Sequence, residues 1–256
     1  MNFSTMHFRI ESKNHLDFLF FRAFEQLPSI RHALFLRLDA DKSLPSDARF
    51  SEAGFLERAG LPAETLVTLH QVHGSSCIHA TRNNASLVNS SSGDCLITSE
   101  PGIAIAVRTA DCFPVLVANM REKVVSCVHA GWRGIARGVI ETSLEKMAND
   151  FSCTSEDAYV ALGPGIEKCC YEVKEDTIDF FKSFHVNIER FIKRSQNNAY
   201  FLSLSEIIAD KLLNAGVHDD RIVRTGSCTF CSDLKLPSFR RDGKRSQRTL
   251  SAIMLV

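Results

Sequence analysis

Residues 103–147, IAIAVRTADCFPVLVANMREKVVSCVHAGWRGIARGVIETSLEKM, decide the fold class. Three short runs rich in Val and Ile, Ile103 to Val107, Val115 to Ala118 and Val124 to His129, read as strands, with turn residues between them. The links between them are too short to hold a helix, so the sheet is expected to be mixed. The periodicity then changes. Ile135, Val139, Ile140, Leu144 and Met147 fall on one stripe of a helix over about 135–147. Working outward, Leu66 to Leu69, Asp94 to Thr98, Ala158 to Leu162, Arg221 to Thr225 and Ser251 to Val256 add further strands. Glu175 to Phe184 and the segment from Ser203 to Gly216 add helices. Ser203 and Glu206 form a capping box, and Gly216 is the stop. Asn83 to Ser92, rich in Asn and Ser, reads as a loop. The expected fold is α/β: one layered domain over residues 1–256, with a mixed β-sheet flanked by helices.

Composition limits the function. The chain has 256 residues, with 45% apolar and 23% charged side chains, as ordinary globular proteins do. Lys plus Arg and Asp plus Glu both total 30, so the zero net charge speaks against nucleic-acid coating or a polybasic membrane anchor. No apolar run is long enough to span a bilayer, and Leu16 to Phe21, interrupted by Asp17, is too short for a signal peptide. Nine cysteines in a chain long enough to fold without staples suggest free thiols in a reducing, cytoplasmic setting. No obligate protein partner is evident.

Several residues at strand–turn junctions carry potential chemistry. His70 and His73 lie in HQVHG, Cys112 in TADCFP and His129 in HAGWRG. A His/Cys/His set supplies three ligands to zinc and leaves a fourth position open. The same residues also read as a core cysteine and two hydrogen-bonded histidines, because free cysteine is commonly buried. Cys228-Thr229-Phe230-Cys231 is a CxxC, and Cys169-Cys170 is a second pair. Four thiolates would suit structural zinc, but adjacent cysteines fit one tetrahedral ion awkwardly, so packing thiols, or thiols near the active site, are the expectation. Gly163-Pro164-Gly165 suggests a tight turn; neither GxGxxG nor the phosphate-binding P-loop pattern is present. Arg240, Arg241, Lys244, Arg245 and Arg248 form a basic cluster suited to phosphate oxygens or to a solvated turn. Arg133 stands where Gly131-Trp132-Arg133-Gly134 enters a helix, which is an anion-binding position or simply a packed helix entry.

HQVHG at 70–74, TADCFPVL at 109–116, HAGWRG at 129–134, GPGIEKCCYEV at 163–173 and SFRRDGK at 238–244 together resemble one family in order and spacing. It is the family of YfiH-like proteins, long labelled multicopper polyphenol oxidase or laccase-domain. The resemblance runs from about Leu27 to Val256 and includes the lead-in FLERAGLPAETLVTLHQVHG. It implies a purine nucleoside phosphorylase with adenosine deaminase activity. It implies zinc held by His73, Cys112 and His129, with copper able to substitute, and His70 as the histidine that is not a ligand. The same three residues are then the catalytic set. Asp94 is the implied residue that orients a ligand or a substrate hydroxyl. Arg133, Arg241 and Arg248 are the candidates for phosphate contact, and purine nucleosides and phosphate are the small-molecule partners. Two departures stand out. Phe35-Leu36-Arg37-Leu38-Asp39-Ala40 replaces a TRxGG-like segment, and Gln247 replaces the glycine of TGR, which aligns Arg248 with the family arginine. Three other readings compete: a copper oxidase, a cysteine hydrolase with Cys112 as nucleophile and His129 as base, and a binding module for nucleosides without turnover. A laccase needs a histidine-rich trinuclear copper cluster, and nine histidines with no HxH pair supply it poorly.

Overall fold

The computed structural model describes residues 7–13, 16–38 and 52–256. In chain order the strands are β1 Phe8–Lys13, β2 Leu16–Phe21, β3 Ile30–Leu38, β4 Thr65–Val67, β5 Cys77–His79, β6 Cys95–Thr98, β7 Ile103–Thr109, β8 Phe113–Asn119, β9 Val124–Ala130, β10 Ala158–Leu162, β11 Glu172–Val173, β12 Ile192–Arg194, β13 Tyr200–Leu202, β14 Ile222–Arg224 and β15 Thr249–Leu255. The α-helices are α1 Arg22–Glu25, α2 Glu52–Ala59, α3 Ala85–Asn89, α4 Trp132–Ala136, α5 Val139–Phe151, α6 Glu175–Ser183, α7 Leu204–Asn214 and α8 Phe239–Asp242. The mixed α/β expectation holds, with the strands shared among several sheets. One six-stranded sheet runs β1-β2-β3-β15-β7-β4 and a second runs β14-β10-β8-β9-β6-β5, while β11-β13-β12 form a small third.

The burial pattern explains the layering. Every residue of β8, β9 and β15 is buried, as in strands covered on both faces. Cys127 and Val125 of β9 join a core with Leu34, Ile105 and Ile253 of the first sheet. Val124 and Val128 point the other way, into a core with Ile140, Leu144, Phe181 and Ile208 of the helices. A third core packs Phe55 and Leu56 of α2 on the outer face of the first sheet, against Phe18, Phe35 and Ala252. β2 and β3 escaped the sequence reading because they are rich in Leu and Phe rather than Val and Ile, and a short apolar run of that kind is not told from a helix segment by its period.

Two local expectations change. The helix expected over 135–147 is two helices, α4 and α5, because Gly138 adopts φ 86° between them. The expected loop over Asn83–Ser92 contains α3, whose Ala85 and Val88 are buried; Thr81 N–H donates to Asn84 Oδ1 at its entry. The capping box is present as read, with Glu206 N–H donating to Ser203 Oγ. Cys77 and Cys95 are register partners on β5 and β6 and form a disulfide, so not every thiol is free. Within the Phe35–Ala40 departure, the side chains of Arg37 and Leu38 and residues Asp39 and Ala40 lie outside the described residues. No helix is long and apolar enough to cross a membrane among the described residues.

Candidate active site

Strand pairing assembles the site. In the β8–β9 register Pro114 lies opposite His129, so the turn just before β8 carries Cys112 up beside His129. On the other side β6 pairs with β9, Cys95 opposite Val128, which sets Asp94 against His129; His129 N–H donates to the Asp94 carbonyl at 2.7 Å. His73 comes from the loop after β4. Asp94 holds that loop: Oδ1 accepts from His73 N–H at 3.0 Å, and Oδ2 accepts from Gly74 N–H at 2.6 Å and Val72 N–H at 3.3 Å. The residues are 21, 18 and 17 positions apart in sequence from His73 to Asp94 to Cys112 to His129, so only the fold makes them neighbours.

The result is a tight three-ligand group. The ligand atoms of His73, Cys112 and His129 all lie within 4.8 Å of one another. The two imidazoles meet edge to face with centroids 4.8 Å apart. Backbone conformation is part of the arrangement. His73 sits at φ 58° and Asp111 at φ 82°, both in the left-handed region, where non-glycine residues are rare and cluster at functional sites. Gly131 closes the group from behind: a Cβ there would stand 2.8 Å from His73 Cδ2 and 3.0 Å from Cys112 Sγ, so only glycine lets the backbone approach so closely.

Electrostatics couple the members. Burial alone would raise the Asp94 carboxyl, but hydrogen bonds from His129, Gly74 and His73 hold it below its ordinary value. Burial likewise opposes charge on Cys112, yet hydrogen bonds from His129 and His73 bring its thiol down to about 7. His129 is buried, which lowers its pKa, but Asp94 and Cys112 outweigh burial and raise it to about 9. His129 Nδ1 lies 2.7 Å from Asp94 Oδ1, which leaves Nε2 for a ligand. A carboxylate behind a histidine is the usual way to fix the tautomer and aim of a metal-ligating imidazole. Two nitrogens and one easily ionised sulfur, with that carboxylate behind one of them, make a donor set that fits zinc with an open fourth position. Two groups able to hold a metal occur among the described residues: this one, and Cys169 with Cys170, Cys228 and Cys231.

A cavity of about 540 Å³ opens over the three residues. His70, Trp132, Tyr171 and Ile166 form part of its wall. Arg108, Arg133, Arg240 and Arg248 line it, against the single carboxylate of Asp111. That local excess of positive charge in a neutral chain suits an anion. A larger hollow of about 890 Å³ lies along α5 and α7, beside Glu141, Lys211 and Arg190. Neither metal-capable group lies there, so the smaller cavity is the candidate site.

The structure sorts the remaining candidates. Arg133 lines the cavity with its guanidinium 4.1 Å over the Trp132 ring, and Arg248 lines it from 5.5 Å over the Phe239 ring. Asp94 is fully buried and spends its oxygens on His129 and the 72–74 backbone. Its carboxylate therefore supports the His129 ring and the 72–74 loop, with both oxygens already engaged. Arg241 does not line the cavity. It donates to the carbonyls of Thr229, Phe230 and Leu236 and pairs with Asp242, so its fork is used up in clasping its own loop. Its expected phosphate contact is corrected on that ground. Arg108 is the arginine that the sequence reading passed over at this wall, and Arg240, read there as part of the basic cluster, joins it. The available signal was position: Arg108 directly precedes TADC. Asp111 ties the wall together, accepting from Thr229 Oγ1 at 2.7 Å and Arg240 N–H at 2.6 Å.

Residues 46–256 match a family model described as multi-copper polyphenol oxidoreductase laccase. A purine nucleoside phosphorylase of Deinococcus radiodurans is 30% identical over 220 residues, 86% of this chain and 82% of its own length. A purine nucleoside phosphorylase of Bacteroides thetaiotaomicron is 32% identical over 163 residues, 63% of this chain, and the match spans 60% of that relative. An adenosine deaminase RL5 of an unknown prokaryotic organism is 32% identical over 161 residues, 62% of this chain and 61% of its own length. Among solved structures, YlmD from Geobacillus stearothermophilus superposes with a TM-score of 0.82 at 25% identity, covering 98% of this chain and 99% of that one.

Proposed function

We propose, for a chain that belongs to the multi-copper polyphenol oxidoreductase laccase family, a zinc-dependent purine nucleoside phosphorylase that also deaminates adenosine. The observation that carries this reading is the convergence of His73, Cys112 and His129, backed by Asp94, beneath a cavity walled by four arginines. Relatives named for phosphorolysis and for adenosine deamination support it.

The two reactions ask for different things. In phosphorolysis a phosphate oxygen bonds to C1′ of the ribose while the bond from C1′ to the base nitrogen breaks, and the base leaves with that electron pair. The chain must hold a dianion and a nucleoside together, which guanidinium forks do well. Arg108, Arg133, Arg240 and Arg248 are the groups that face the cavity for this purpose. Trp132 and Tyr171 supply aromatic surface there for a flat base. In deamination water replaces the exocyclic amine of adenine, which departs as ammonia. Zinc, when bound by His73, Cys112 and His129, supplies Lewis acidity that makes water chemistry available at neutral pH. Asp94 and Gly131 fix the aim and spacing of those three side chains.

The family's older description names copper. His₂Cys does suit copper, and copper binds such donors more tightly than zinc. A multi-copper oxidase needs further histidine-rich centres, however. Among the described residues the other metal-capable group is all cysteine. The test is product analysis. Purified protein loaded with zinc is incubated with adenosine or inosine, with and without phosphate. Phosphate-dependent release of adenine or hypoxanthine, and phosphate-independent formation of inosine from adenosine, are expected. Oxidation of a phenol under oxygen, without either nucleoside reaction, would overturn the proposal.

A further inference from the structure

The nucleoside chemistry leaves one cluster unused. Cys169, Cys170, Cys228 and Cys231 come from two loops, one after β10 and one after β14. The loops are stitched together by backbone: Gly165 bridges Cys228 in parallel, and Thr229 N–H donates to the Gly165 carbonyl at 2.9 Å. Cys170 N–H and Tyr171 N–H both donate to the Glu167 carbonyl at 2.9 Å. That tight turn presents the sulfurs of the adjacent pair toward the CxxC. All four sulfurs then lie within 4.8 Å of one another.

The spacing can be compared with chemistry. Zinc–sulfur bonds of about 2.3 Å in a tetrahedron place the sulfurs about 3.8 Å apart. Cys169 Sγ and Cys231 Sγ stand 3.7 Å apart. A disulfide would bring them to about 2.05 Å. One sulfur also receives a main-chain donor, since Glu167 N–H reaches Cys228 Sγ at 3.5 Å, the kind of support that orients a ligating thiolate. The difficulty of adjacent cysteines on one ion, raised from the sequence, is met by the turn at Glu167.

We propose that Cys169, Cys170, Cys228 and Cys231 bind one zinc ion as a closed four-thiolate structural site that clips these two loops together. Four protein ligands leave no open position, so the ion serves the fold and not the reaction. What it holds matters to the cavity. Tyr171, next to Cys170, forms cavity wall, and Thr229, next to Cys228, donates to Asp111 beside Cys112. The clip thus fixes one side of the nucleoside site from outside it.

The test is metal analysis and X-ray absorption on the whole chain, purified under reducing conditions and desalted after zinc loading. Cys112→Ser, which leaves the four cysteines intact, should keep about one zinc per chain with a shell of sulfur only at about 2.3 Å. Cys228→Ser should lose that sulfur-only ion. Cys169 is exposed, so Cys169→Ser keeps the test open if Cys228→Ser fails to fold; it should also lose the sulfur-only shell. In Cys112→Ser, four thiols should become open to alkylation only when a chelator is added. Folded Cys112→Ser without tightly held zinc, iron in place of zinc, or a Cys169–Cys231 disulfide under these conditions would each overturn the proposal.

Discussion

Asp94→Asn tests the site at its least exposed member. Asp94 accepts four hydrogen bonds: from His129 Nδ1 and His73 N–H on Oδ1, and from Gly74 and Val72 N–H on Oδ2. An amide offers one oxygen and turns an NH₂ toward the other two donors. In either orientation two N–H groups lose their acceptor and face a donor. Hydrogen bonds to a charged group contribute about 1.5–3 kcal/mol each. Losing the one to His129 therefore weakens a ligand's aim by roughly 10- to 150-fold. Carboxylates behind metal-ligating histidines typically change metal affinity or activity by about 10–100-fold when replaced. The expected outcome is a 10–100-fold fall in zinc affinity on these grounds, measured by competition with a chromophoric chelator, and a parallel fall in kcat/KM for deamination. Circular dichroism and denaturant titration show whether the variant is folded. A folded Asp94→Asn protein with wild-type zinc affinity and turnover would refute the idea that Asp94 aims His129 and holds the His73 loop.

Cys112→Ser should lose the site's metal and both nucleoside activities while staying folded, whereas His70→Ala should keep the metal; equal metal loss in both, read by elemental analysis, would show the wrong histidine was chosen. Arg248→Ala should raise the KM for phosphate by roughly 10-fold or more, as expected for a lost contact to a charged group, whereas Arg241→Ala should lower the denaturation midpoint and change that KM less, since Arg241 serves the carbonyls of its own loop. His32 supplies a pH dependence. Its Nε2 accepts from Phe21 N–H at 2.7 Å, and burial, aided by the charge of Arg9, lowers its pKa to about 3 from 6.5. The unfolded chain therefore binds the proton more readily, and stability is complete above about pH 6.5. It falls as pH drops, by about 1.4 kcal/mol per unit. His32→Gln should flatten the slope between pH 6 and 5 in denaturant titrations by about that amount; parallel slopes would sink the assignment.

Much of the chemistry was legible locally. The strands around TADC and HAGWRG, the cap at Ser203 and the histidine and cysteine candidates are short-range patterns, and local dihedral preference and burial write them directly into the sequence. Periodicity failed for β2 and β3, whose Leu- and Phe-rich runs lack the Val and Ile that marked the equally buried β8 and β9, and where one residue at φ 86°, Gly138, breaks a continuous apolar stripe into two helices.

The sequence by itself offered the residues with the right chemistry: His70, His73, Cys112 and His129 as possible metal ligands, from which the family resemblance chose the last three, Asp94 as an acid, and a basic run near the C-terminus. Tertiary structure decided what each one does. Strand register placed Asp94 behind His129, buried and with its carboxylate on that ring. The fold of the C-terminal loop turned Arg241 inward onto carbonyls, while Arg108 and Arg240 reached the cavity wall. A turn at Glu167 and a bridge from Gly165 to Cys228 drew two cysteine pairs about 60 residues apart into one cluster. The physical reason is the same in each case. A side chain's type fixes the bonds it can make, but its partner is chosen by backbone pairing between segments distant in sequence.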